Sequence, residues 1–102
     1  MLSRARSWLI NEIVRPEQHA ELLFTPQEDS IVKRVIVTSK GKSFLIDLEI
    51  RGFVATGIYP NGPLPRTLYV PAAETCTFKI RNATTTRRLL RCVAILYEAR
   101  EA

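Results

Sequence analysis

A chain of 102 residues, 46% hydrophobic and 25% charged, has the size and make-up of one globular domain and excludes a disordered or low-complexity segment. The formal charge is +5 and the basic side is arginine-heavy, 11 Arg to 4 Lys, which suits surfaces that meet carboxylates or phosphates. No stretch is both apolar and long enough for the roughly 20 residues of a spanning helix. Gly52 to Pro65 comes nearest and is broken by prolines. The basic start Met1 to Arg6 is followed by an apolar patch that Asn11 and Glu12 cut off, so neither a membrane segment nor a signal peptide is expected.

Residues 1–15 admit two readings. Leu2, Ala5, Leu9 and Ile13 follow a helical stripe that Ser3 caps and Pro16 ends, which favours a short helix. Trp8, Ile10 and Val14 share one parity, which favours an extended arm.

From His19 the chain reads as strands. Ala20, Leu22 and Phe24 alternate with His19, Glu21 and Leu23, and a polar turn follows over Pro26 to Asp29. Ile31 to Thr38 is rich in β-branched residues, and Ser39-Lys40-Gly41-Lys42 is a tight-turn signal. In Ser43 to Arg51, Phe44, Ile46, Leu48 and Ile50 point one way; Asp47, Glu49 and Arg51 point the other. These two segments are expected to pair as a hairpin, with Lys33 and Arg34 meeting Asp47 and Glu49 across it. Gly52 to Gly57 reads as a bent or bulged continuation, because glycine inside a strand marks bulges.

Tyr59 to Pro65 holds too many prolines for a ladder and is an ordered loop. Arg66 to Val70 is a short strand stopped by Pro71. In Thr75 to Arg81, Cys76, Phe78 and Ile80 face inward while Thr77, Lys79 and Arg81 face outward. Asn82 to Thr86 is a polar turn, and Asn82-Ala83-Thr84 matches a glycosylation acceptor. Arg88 to Glu98 is apolar on both parities from Cys92 to Tyr97, the mark of a strand that is central or covered on both sides. The fold class is therefore all-β: a small antiparallel β-sandwich, jelly-roll-like, or a barrel of roughly six to seven strands. Residues 1–102 make one domain, with a helix or arm at 1–15 and the sandwich at 19–98.

No catalytic constellation is legible. The one histidine, His19, opens a strand and reads as a surface residue, and Asp47 with Glu49 reads as ion-paired. There is no phosphate-gripping glycine loop, no nucleophile elbow and no metal-ligand cluster, so neither an enzyme nor a cofactor is expected. Cys76 and Cys92 read as two buried, inert thiols. Two features rise above this background. Lys79, Arg81, Arg87, Arg88 and Arg91 form a basic cluster that converges at one sheet end if their strands are hairpin neighbours. Trp8 lies with Arg4 and Arg6 outside the regular strand pattern, and Trp with Arg is the chemistry of interface anchors. These eight residues are the candidate interface. Phosphates are the alternative target, although base stacking calls for outward aromatics and Phe78 faces inward.

The succession of Ile31–Ser39, Phe44–Ile50, the Pro/Gly loop, Leu68–Pro71, Phe78-Lys79-Ile80-Arg81-Asn82, a Thr-rich turn and the closing apolar strand resembles small β-sandwich proteins of virus and phage particles, in particular capsid decoration or cement proteins. The resemblance covers about residues 30 to 98 and is one of layout, without a diagnostic motif. It implies a virion protein that binds a capsid as a symmetric homo-oligomer, with a trimer favoured. Residues 1–15 depart from that layout. A nucleic-acid-binding small β-barrel with an arginine-rich face is the alternative, and a cytoplasmic location goes with it.

Overall fold

The computed structural model describes residues 4–38 and 43–100. All regular structure there is β: β1 (Arg4–Val14), β2 (His19–Phe24), β3 (Ser30–Val37), β4 (Phe44–Ile50), β5 (Phe53–Ile58), β6 (Leu68–Val70), β7 (Cys76–Asn82) and β8 (Arg88–Ala99). They form two four-stranded antiparallel sheets, ordered β1-β8-β3-β6 (sheet A) and β2-β7-β4-β5 (sheet B), an arrangement compatible with a β-sandwich. The pairs 1·8, 2·7, 3·6 and 4·5 make the chain one long antiparallel ribbon wound upon itself. One buried cluster draws on both sheets, with Val35, Val70, Leu90, Val93 and Ile95 from A and Phe44, Ile46, Phe78 and Ile80 from B.

Alternation places these residues. Phe44, Ile46, Leu48 and Ile50 are all buried, as are Cys76, Phe78 and Ile80, while their odd-parity neighbours are not. Gly57 lies in a bulge: between the Ile46–Ile58 and Leu48–Ala55 pairs, β5 carries one residue more than β4. Its φ of 71° is a conformation that glycine adopts without strain. Arg51 and Gly52, both at positive φ, close the β4–β5 hairpin as a two-residue turn.

Four expectations need correction. Residues 4–14 are neither helix nor free arm but edge strand β1, paired with β8 along its length. The period-two face wins because it puts Trp8, Ile10 and Val14 toward the core, whereas the helical stripe would have buried Leu9 and Ile13, which stand 85% and 63% exposed. Leu2 and Ser3, the start of that stripe and its cap, lie outside the described residues. β3 and β4 do not form a hairpin; they belong to opposite sheets, and the turn expected at 39–42 lies outside the described residues. β7 and β8 are likewise in opposite sheets, so their arginines do not converge across a hairpin. Eight strands replace six to seven, because residues 4–14 and 53–58 each supply a further strand.

Asn82 is also misplaced by the sequence: it ends β7 and is fully buried. Its side-chain amide donates to the Val14 carbonyl (2.8 Å) and the Thr86 carbonyl (2.9 Å), and its Oδ1 accepts from the backbone N–H and the hydroxyl of Thr84 (2.9 and 2.7 Å). A glycan acceptor needs a free amide nitrogen, and in the folded chain both donors of this one are committed. Asn82→Ala leaves the buried Val14 carbonyl and the part-buried Thr84 N–H without the amide, while the Thr86 carbonyl keeps the Thr84 hydroxyl, and is expected to cost about 2 kcal/mol. Urea unfolding measures it; an unchanged midpoint would show that water replaces the amide without loss.

Candidate functional site

Sheet B presents an outer face whose charges are already matched. Cross-strand registers align Glu21, Lys79 and Asp47 in one row and His19, Arg81 and Leu45 in the next. Arg81 reaches diagonally to Asp47, its Nε 3.0 Å from Oδ2, and the Gly57 N–H donates to Oδ1 at 2.9 Å. The bulge at Gly57 is what aims that N–H at the carboxylate. Burial pushes the Asp47 carboxyl upward, but the hydrogen bonds from Arg81 and Gly57 and the charges of Arg81 and His19 outweigh it, leaving it below its ordinary 3.8. The hydrogen bond that Arg81 donates to Asp47 in turn raises the Arg81 pKa, against a smaller opposing effect of burial.

This corrects the expected pairing of Asp47 and Glu49 with Lys33 and Arg34. Those basic residues lie on the opposite sheet, where Lys33 approaches Glu98 at 3.9 Å and Arg34 donates to the Asn61 carbonyl. Lys79 and Arg81 thus belong to an internally neutralised face. His19 is exposed at the start of β2.

The outer face of sheet A is different. Along central strand β8, Cys92, Ala94 and Leu96 point outward, half-buried only by their own sheet neighbours. The registers set Leu9 beside Cys92, and Ser7 and Ile36 on either side of Ala94. Ala5 and Arg34 flank Leu96. Ile13 and Leu89, 63% and 40% exposed, face each other at the β1 end of this strip. β8 takes the central place that was one of its two expected readings, between β1 and β3; it is covered on the core side, and no described element lies over the outer one. Cys92 sits on that face, which corrects its reading as a buried thiol; Cys76 is fully buried, and desolvation pushes its thiol up to about 12.

The remaining candidates fall around sheet A. Arg88 opens β8 opposite Val14, with exposed Arg87 before it, exposed Arg91 after it and exposed Arg15 at the end of β1. Arg88 Nε is held 3.4 Å from the Thr84 hydroxyl. At the far end of β1, Arg4 pairs with Glu28, and the Arg6 guanidinium lies 5.0 Å over the ring of Trp8, which is half-buried against the core. The eight candidates thus separate into three groups: Arg4, Arg6 and Trp8 on the β1 edge, Lys79 and Arg81 on sheet B, and Arg87, Arg88 and Arg91 at one end of sheet A. Arg15 and the apolar strip were not singled out from the sequence. The doubly apolar run Cys92–Tyr97 was the signal for the strip, and it was read as the mark of a strand that is central or covered on both sides.

Among the described residues no three His, Cys, Asp or Glu side chains are grouped to hold a metal ion, and no helix is long and apolar enough to cross a membrane. Comparison with protein-family models, curated proteins and solved structures finds no match.

Because the folded Asp47 carboxyl lies below 3.8, the stability it contributes is complete above that value and is lost as pH falls through the lower folded one. Asp47→Asn is therefore expected to melt below the wild type at pH 7, with the gap closing as the pH is taken below 3.8. Parallel melting curves from pH 7 to about pH 2 measure this; a pH-independent gap would assign the loss to packing.

Proposed function

We propose that this chain is a non-enzymatic assembly protein of a virus or phage particle, of the capsid decoration or cement kind, that docks on a protein shell as a symmetric homo-oligomer. The observation that carries the reading is the uncovered outer face of sheet A: an apolar strip on a rigid central strand, with Arg34 beside it and Arg15, Arg87, Arg88 and Arg91 at one end. Recognition patches combine an apolar centre with enriched arginine in this way, and contiguous exposed apolar area on a monomer marks a contact site.

The winding of the sheets supports the same reading. Orders β1-β8-β3-β6 and β2-β7-β4-β5 are what a jelly-roll sandwich produces, and that architecture recurs in capsid proteins. Fold alone does not carry a function, since lectin and cupin domains share it. The apolar strip is what selects assembly. Weak contacts repeated around a symmetry axis gain through effective concentration, so a domain this small holds a shell as a trimer better than as a monomer. A virion location follows from this reading, and no membrane or cofactor enters it.

Nucleic acid is the weaker alternative, because Lys79 and Arg81 are matched by Glu21 and Asp47 and do not join Arg87, Arg88 and Arg91. Leu9→Asp, and separately Arg87→Glu with Arg88→Glu, are expected to shift the oligomer to monomer with little change in melting temperature. Sedimentation velocity with thermal unfolding reads both. A wild type that stays monomeric at all concentrations and binds DNA with a steep salt dependence would replace this reading with the alternative.

A further inference from the structure

The two sheets do not close against each other at the β5–β6 side. Between the β5 edge of sheet B and the segment leading into β6 of sheet A runs a groove of about 530 Å³. Its walls carry Phe53 and Val54, 50% and 58% exposed, with Leu64 and Pro65 opposite, and core residues Leu48 and Leu68 border it. This volume lies in the range of small-molecule sites, which are mostly apolar with a few polar groups that fix orientation. The polar residues among its lining are Thr56, Thr67 and Arg66. Arg66 is exposed and, among the described residues, makes no ion pair. The one other cation nearby, Arg51 in the β4–β5 turn, is engaged with Glu74 at 3.7 Å.

We infer that this groove is a binding site for a single-chain alkyl carboxylate, the chain lying between Phe53–Val54 and Leu64–Pro65 and the carboxylate meeting Arg66. Two observations favour such a ligand over a peptide strand added to β5. The bulge at Gly57 breaks the edge after three residues and increases its twist, a device that blunts strand addition. The site is also concave between two sheets, whereas strand addition needs a flat free edge. Charge complementarity selects an anionic head: a cation brought to Arg66 is repelled, and a neutral alcohol gains no ion pair. The loop that leads to Arg66 is anchored at its start, where the Asn61 N–H donates to the Val35 carbonyl at 2.8 Å and the Val37 N–H to Asn61 Oδ1 at 2.9 Å.

Sodium decanoate titrated below its micelle concentration into the isotope-labelled full chain tests this by NMR, with decyltrimethylammonium as the same-length cation. The expected result is saturable shifts over residues 53–58 and 64–68, with decanoate bound at least about tenfold tighter than the cation. Arg66→Glu, on an exposed loop, should reverse that preference, and Ala55→Trp should fill the groove and remove binding. Equal affinity for the two head groups, or shifts centred on Leu9 and Ile36 instead, would overturn the inference. So would binding to anionic phospholipid vesicles without binding to decanoate. None of these outcomes depends on whether sheet A docks on a shell.

Discussion

A buried amide holds the two sheets in register. Asn82 ends β7 in sheet B, yet its side chain binds the last carbonyl of β1 in sheet A and both ends of the turn that leads into β8. Val14, whose carbonyl it takes, is the point where β1 leaves the core, so the length of the edge strand and the start of the central one are set together. An unsatisfied amide at this depth costs free energy directly, while an apolar replacement packs but pins nothing. The interaction contributes to stability and to a specific winding alike.

That winding decides which surfaces remain available. By sending β7 and β8 to opposite sheets it separates arginines that are near neighbours in sequence. Arg81 donates to Asp47, which also accepts from the Gly57 N–H, and is thereby paired on the outer face of sheet B. Arg87, Arg88 and Arg91 remain at the end of a sheet whose outer side is apolar. β1 caps the open side of β8 but is a poor template for further strands, since the bulge between Leu9 and Glu12 and the two arginines near its start blunt the edge. Association through the face of sheet A is therefore easier than association through its edge.

Much of this was legible in the residues. The inward sets of β4 and β7 followed from strict alternation, the bulge at Gly57 from a glycine within a strand, and the central place of β8 from its doubly apolar run. Sheet membership was not legible, because every pair of consecutive strands except β4 and β5 crosses to the other sheet and local turn chemistry does not report the crossing. Residues 4–14 misled because Leu9 and Ile13 satisfy helical spacing while Trp8, Ile10 and Val14 satisfy the strand period. The decision lay with β8, distant in sequence, whose free edge needed a partner. Asn82 looked like turn chemistry since an asparagine before alanine and threonines is common there, and only its burial reveals the role. The apolar face was visible as the doubly apolar run, which fits a central strand as well as one covered on both sides and so did not say that the outer side is open among the described residues.

The claim on which the account rests is that the outer face of sheet A is covered when the protein works. Cys92 lies on that face and Cys76 lies in the core, so alkylation of one thiol against the other reports it directly. The account predicts that Cys92 in the native protein labels readily in dilute solution and progressively more slowly as concentration rises, with Cys76 silent until the chain unfolds. A Cys92 labelling rate that does not change with concentration would mean that the face stays open to solvent, and would contradict assembly through it.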